Sequence, residues 1–186
     1  MIKLSPGFTV DDWNNLDFIA EEHWQKAIEI VEDRINGRFI RWIDQLIGSE
    51  FAGFATMALD CLLLETLYGF QAGASTPDTR KAYKTILTAP PFHFDDALAV
   101  AFYENVRNGI IHDTETRKGW LIRMTPQSEI VKLDGAGSHI LNRTIFHSRV
   151  KKAVRDWITQ LRDGDTTLRE NMRKRMDEII EKHYTP

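Results

Sequence analysis

The stretch FAGFATMALDCLLLETLYGF, Phe51 to Phe70, is the most apolar part of the chain, and its reading decides the fold. Its length suits a membrane span, but Asp60 and Glu65 lie near its centre, where charge in hydrocarbon is costly. Apolar residues fall on nearly every side, as in a helix surrounded by neighbours. The stretch therefore predicts a central helix of a soluble bundle, from about Glu50 to Gln71. Ser49 is placed to cap it, and Gly69 and Gly73 mark its end. Carboxylates buried on such a helix need partners. Asp60 and Glu65 read either as structural pairs to an arginine or a helix end, or, for Glu65, as a residue near a cleft orienting Arg107 or His112. The single cysteine, Cys61, allows no intramolecular disulfide and no zinc spacing. It reads as a small buried hydrophobe in a reducing, cytoplasmic setting.

Working outward, Trp24, Ile28, Val31, Ile35, Phe39, Trp42 and Leu46 recur at steps of three and four. They predict one buried helical stripe from Glu21 to Ile47, loosened at Gly37. After the central helix, Ser75 or Thr76 with Pro77 predicts the start of a shorter helix running to about Thr88. Pro90-Pro91 breaks the chain, and Asp95 and Asp96 suit the start of a helix near Phe94 whose seam is Leu98, Phe102 and Val106. Beyond Gly119, WLIRM and EIVKL read as a short β-hairpin, with HILN as a third strand. Helical spacing returns from Phe146 to Leu161, and Thr167 with Glu170 reads as the capping box of a last helix. The expected fold is mainly α, a helical bundle with a small β-hairpin insertion in its C-terminal half. It is one domain, with a core over 21–116, a hairpin region over 119–145 and C-terminal helices over 146–184.

A net charge of −3 and a pI near 6.1 exclude a chain coated in basic charge, so any nucleic-acid contact needs a local patch. Arg169, Arg173, Lys174 and Arg175 form one such group on the last helix, read as a solvated face or an RNA contact. Lys151, Lys152 and Arg155 pose the same choice. His23, His93, His139, His147 and His183 have no matching neighbours in sequence and read as structural. Without a leader-like apolar run at the N-terminus, a cytoplasmic protein with no membrane partner is expected.

VRNGIIHDTET, Val106 to Thr116, places the candidate chemistry. At about 100° per residue, Glu104, Asn108 and His112 share one helical column, and Tyr103 and Arg107 share its neighbour. Histidine exchanges protons near neutral pH, and arginine binds phosphate oxygens and stabilises charge developing in a transition state. Such a pair suits a phosphodiester, with no metal and no cofactor required for attack by a ribose 2′-hydroxyl. On an ideal helix, however, Arg107 and His112 stand about 140° apart. Convergence requires local distortion at Gly109, a helix end or a second chain. The plain alternative is an i,i+3 pair of Glu104 with Arg107, and His112 at the negative end of a helix dipole. Thr114, Glu115 and Thr116 either line a cleft mouth or satisfy their own loop.

FYENVRNGIIH, with FATMALDCLLLETL before it, resembles the HEPN superfamily, whose signature is an arginine, a polar residue and a histidine a few positions on. Arg107, Asn108 and His112 match it in order, and the resemblance covers roughly Glu21 to Glu115. It implies a HEPN-like antiparallel bundle forming a homodimer through the motif helix, with a metal-independent endoribonuclease site shared across the two-fold axis. By that resemblance His112 is the acid or base, Arg107 stabilises the transition state and Asn108 positions histidine or phosphate. Glu65, Tyr103, Glu104 and Thr114 stand as candidate substrate contacts. RNA is the expected substrate, and toxin or antiviral-defence roles and a cognate antitoxin or partner protein are familiar for the family. Other members keep the fold without nuclease activity and bind a partner protein or nucleotide.

Overall fold

A computed structural model describes residues 2–75 and 78–184 of the chain. Helix makes up 65% of it and strand 7%, so the architecture is mainly α with a small β insertion. The chain forms two compact units, one of Met1–Trp42, Thr66–Thr76 and Val154–Pro186, the other of Ile43–Glu65 and Pro77–Ala153.

In the first unit a short helix, α1 (Val10–Asn14), opens on a capping box between Thr9 and Asp12. Helix α2 (Glu21–Ile35) runs into a π turn, Asn36–Ile40, and then into α3 (Arg41–Leu46). The loosening expected at Gly37 is that π turn. Its extra residue rotates everything after it by about 100°. The buried seam therefore passes to Ile43, which is fully buried, and Trp42 is turned out to 46% exposure. The expected stripe through Trp42 is corrected accordingly. Gly37 is required because a Cβ there would overlap the Pro6 ring. The same helix end holds the N-terminal segment, with Arg34 and Arg38 both donating to the Leu4 carbonyl, at 2.7 and 3.1 Å.

The last helix of this unit, α8 (Thr166–Tyr184), starts one residue before the expected Thr167, and its cap is Asp165. The Asp165 carboxylate accepts from the Leu168 N–H at 2.9 Å, replacing the expected Thr167–Glu170 box. Met172 and Met176 are fully buried and Ile180 nearly so. Arg169 is buried with them. It donates to the Leu161 carbonyl at 2.7 Å and to both Glu21 oxygens at 2.7 and 2.6 Å. Arg173 pairs with Glu170 and Arg175 with Glu178, at 2.8 and 2.6 Å. Three of the four basic residues in this run thus meet carboxylates, two on the same helix and one on α2.

Helix α4 (Gly53–Ala72) crosses from the second unit into the first and begins three residues later than expected. Ser49 does not cap it. The Ala52 N–H closes a turn on the Ser49 carbonyl, which also accepts from Arg143. Gly73, with φ of 68°, ends the helix. By length and composition alone α4 is long and apolar enough to cross a membrane, and half of its apolar window is buried inside the protein.

In the second unit α5 (Thr79–Thr88) is capped by Asp78, whose carboxylate accepts from the Lys81 N–H at 3.0 Å. Of the caps expected for it, Thr76 and Pro77 lie outside the described residues, and Ser75 instead donates to Glu178 at 2.6 Å. Helix α6 (Asp96–Phe102) begins two residues after the expected Phe94, capped by Asp95, which accepts from the Leu98 N–H at 2.7 Å. The strands β1 (Trp120–Arg123), β2 (Val131–Leu133) and β3 (His139–Asn142) make one sheet in the order β1-β3-β2. The expected WLIRM–EIVKL pairing does not form. β3 lies between them, parallel to β1 and antiparallel to β2. The tight turn is Asp134–Ser138, where the Asp134 side chain accepts from the Ala136 and Ser138 N–H groups at 2.9 and 2.8 Å. Helix α7 (Arg143–Arg162) follows β3 directly and starts three residues before the expected Phe146. Phe102 centres the aromatic core, stacked on Phe146 at 5.0 Å and edge-on to Trp120 at 6.1 Å.

Gly37→Ala should destabilise the protein by about 1–3 kcal/mol, the usual cost of overpacking, and Pro6→Ala should recover part of it, as urea unfolding would report. Glu21 is exposed, and its hydrogen bonds to Arg169 and Gln25 hold its carboxyl down to about 2 from 4.5. Its contribution is present above pH 4.5 and is lost as pH falls toward 2. The stability gap between wild type and Glu21→Gln should therefore close over that range.

Candidate functional site

After Phe102 the motif helix does not continue as α-helix. It forms two π turns, Tyr103–Arg107 and Gly109–Asp113. The Asn108 N–H bonds to the Tyr103 carbonyl and the Thr114 N–H to the Gly109 carbonyl, each five residues back. Residues five apart then lie little more than one turn apart, so the wide turns narrow the angle between Arg107 and His112 that a regular helix would impose. The distortion that convergence requires is present in this segment.

Gly109 permits it in a specific way. A Cβ at Gly109 would overlap the Glu115 carbonyl and stand 3.2 Å from the Thr116 Cα. The loop after the helix folds back across this glycine, and the Arg117 N–H bonds to the Asn105 carbonyl at 2.9 Å. Thr114 makes the reversal in the left-handed region, with φ of 56°, and its hydroxyl donates to the Asp113 carbonyl at 2.6 Å. Glu115 accepts from the Thr116 N–H at 2.9 Å, so this loop satisfies its own backbone.

Arg107 is the best-held side chain of the motif. Its Nε donates to Glu65 on α4 at 2.8 Å, and the two side chains are 13% and 19% exposed. A second nitrogen donates to the Asn108 side-chain oxygen at 3.0 Å. Burial alone would lower its pKa, but the Glu65 hydrogen bond and charge outweigh this and move it up. The guanidinium also lies 5.8 Å from the centre of the Tyr103 ring, whose hydroxyl is 2.8 Å from that of Thr79. Beneath them Tyr83 donates to the Cys61 carbonyl at 2.8 Å. Burial pushes the Cys61 thiol up to about 12, so it is no nucleophile at neutral pH.

The remaining candidates are less constrained. Glu104 pairs with Arg80 at 3.1 Å, both largely exposed, in place of the i,i+3 pairing with Arg107. His112 and Thr114 are exposed, and His112 has no hydrogen-bond or ion-pair partner among the described residues. The geometry thus joins Arg107, Asn108, Glu65 and Tyr103 in one cluster and leaves His112 open on the same helix. Nearby positions on these two helices are apolar and exposed, Leu62 at 45% and Ile111 at 40%.

A second polar cluster was not legible in the sequence, where His147 read as structural without neighbours. The His147 ring bridges Asp60 at 2.8 Å and Asp44 at 3.2 Å, and Lys151 reaches Asp44 at 2.6 Å. Asp60 is fully buried, and one of its oxygens has no partner among the described residues. Burial raises its pKa, partly offset by His147. The signal available was Asp60 itself, a carboxylate on an apolar helix, whose partner is a histidine and not the expected arginine or helix end. Among the described residues no group of three or more His, Cys, Asp or Glu side chains gathers as a metal site would need.

Comparison of the chain with protein-family models, with curated proteins and with solved structures finds no match.

Gly109→Ala should displace the 115–117 loop and cost about 1–3 kcal/mol, as expected for overpacking at a close backbone approach. Faster amide exchange at Arg117 would accompany it, and an unchanged melting temperature would contradict the packing described.

Proposed function

We propose that the protein is a metal-independent endoribonuclease whose site is built around Arg107, Asn108 and His112. The observation that supports it most is the state of Arg107. It is part-buried and oriented by Glu65 and Asn108, on a helix whose turns widen between it and an exposed histidine. An oriented guanidinium is a pre-set donor for a phosphate oxygen, and an open imidazole is free to move a proton. In the proposed reaction His112 accepts the ribose 2′-hydroxyl proton, and O2′ attacks the adjacent phosphorus. The bond from phosphorus to O5′ breaks, the leaving oxygen takes a proton, and the products carry a 2′,3′-cyclic phosphate and a 5′-hydroxyl. Arg107 stabilises the charge on the phosphoryl oxygens, with Asn108 and Glu65 holding it in place. Tyr103, Glu104 and Thr114 are the nearest candidates for substrate contact.

A single chain offers one histidine here, and the reaction needs a base and an acid. A second copy meeting the first along the motif helix, over Leu62 and Ile111, would supply the other. This is the reading that the HEPN resemblance suggests, and it carries with it the roles of cytoplasmic toxin or antiviral effector and a possible antitoxin.

A second reading has its own support. The Arg107 charge is already matched by Glu65, as in an ion pair whose task is to join two helices. On this reading the protein is a non-catalytic helical module that binds a partner protein or nucleotide.

Purified protein incubated with mixed RNA and chelator separates the two. Wild type should cut, leaving cyclic phosphate ends, and His112→Ala and Arg107→Ala should each lose roughly 10²-fold or more in rate. No cleavage by wild type, or equal cleavage by the alanine variants, would favour the binding module.

A further inference from the structure

The first unit contains a cavity of about 450 Å³ lined by Arg34, Arg38, Arg175, Phe39, Phe70 and Tyr184 among others. Its charge is unusual for a structural pocket. Among the described residues Arg34 and Arg38 hydrogen-bond to the Leu4 carbonyl and the Tyr184 hydroxyl and to no carboxylate, and Arg34 is buried to 9% exposure. Each spends a nitrogen on the Leu4 carbonyl, which fixes the direction of the guanidinium without neutralising it. Burial lowers the Arg34 pKa and the charge of Arg38 lowers it further, partly offset by Tyr184, with Arg175 a smaller push in the same direction as Arg38. Arg175 pairs with Glu178 at 2.6 Å and also donates to Ser75 at 3.0 Å. Across the opening Arg38 reaches the Tyr184 hydroxyl at 3.4 Å. Among the described residues these three guanidiniums share one carboxylate, an arrangement that an anion would stabilise.

We propose that this cavity binds a small phosphomonoester carrying an apolar or aromatic body. A phosphate dianion matches the charge left over at Arg34 and Arg38 and the forked donors they present. A carboxylate would satisfy only part of it. Beside Thr66 and His183, Phe39, Phe70 and Ile179 give an apolar wall, and the volume exceeds what a phosphate alone would fill. The site is separate from Arg107 and His112 and does not depend on the proposed nuclease activity.

Calorimetric titration of the full chain with phenyl phosphate, inorganic phosphate and benzoate tests it. Phenyl phosphate should bind at one site per chain, roughly tenfold or more tighter than either of the others. Arg38→Ala, an exposed position, should weaken it by roughly tenfold with its melting temperature kept close to wild type. Arg34→Lys should weaken it as well, because an ammonium cannot reproduce the fork. Absence of saturable binding at millimolar phenyl phosphate, or equal binding by Arg38→Ala, would overturn the site. Equal affinity for inorganic phosphate would overturn the apolar body, and equal affinity for benzoate the preference for phosphate.

Discussion

Two carboxylates on an otherwise apolar helix govern the second unit. Asp60 and Glu65 lie on α4, where charge is tolerated only with partners, and each finds one on a different helix. Asp60 takes His147 of α7, and Glu65 takes Arg107 of the motif helix. Apolar packing alone is permissive about how helices slide and rotate past one another. Two directed bonds from a single helix are not, and they fix the rotation of α7 and of the motif helix about α4.

The consequence is that the Arg107 guanidinium is held in one direction by neighbours on two helices. Its orientation comes from Glu65 on α4 and its immediate neighbour Asn108, with π turns on either side of Asn108. The loop that returns over them requires Gly109, because residues 115–117 occupy the space of a side chain there. Close packing of a loop on a glycine, a widened helix and an oriented arginine are thus one arrangement. The same residue economy recurs at Gly37, where Pro6 presses on another π turn and Arg34 and Arg38 converge on one carbonyl.

Much of this was legible in the sequence. The central helix, its buried cysteine and an acidic start for α6 followed from patterning. The need of buried charge for a partner left Glu65 open between an arginine, a helix end and His112, of which Arg107 is the one it meets. What the sequence did not reveal has a common cause. A π turn adds one residue without any pattern of its own, so Trp42 and Ile43 exchange roles on the strength of a contact with Pro6. Strand order was equally hidden, because WLIR, VKL and HILN are alike in composition and only the Asp134 turn distinguishes the true hairpin. His147 and Asp60 are 87 positions apart, and no local signal joins them.

The central claim is that the Glu65–Arg107 pair is a directed tie and not a chance proximity of two surface charges. A double-mutant cycle with Glu65→Gln and Arg107→Gln, read by urea unfolding, tests it most directly. A coupling of about 1 kcal/mol or more is expected for a pair this shielded from water. Effects that add to within roughly 0.3–0.5 kcal/mol would mean that the two side chains do not hold each other, and the motif helix would lose its anchor on α4.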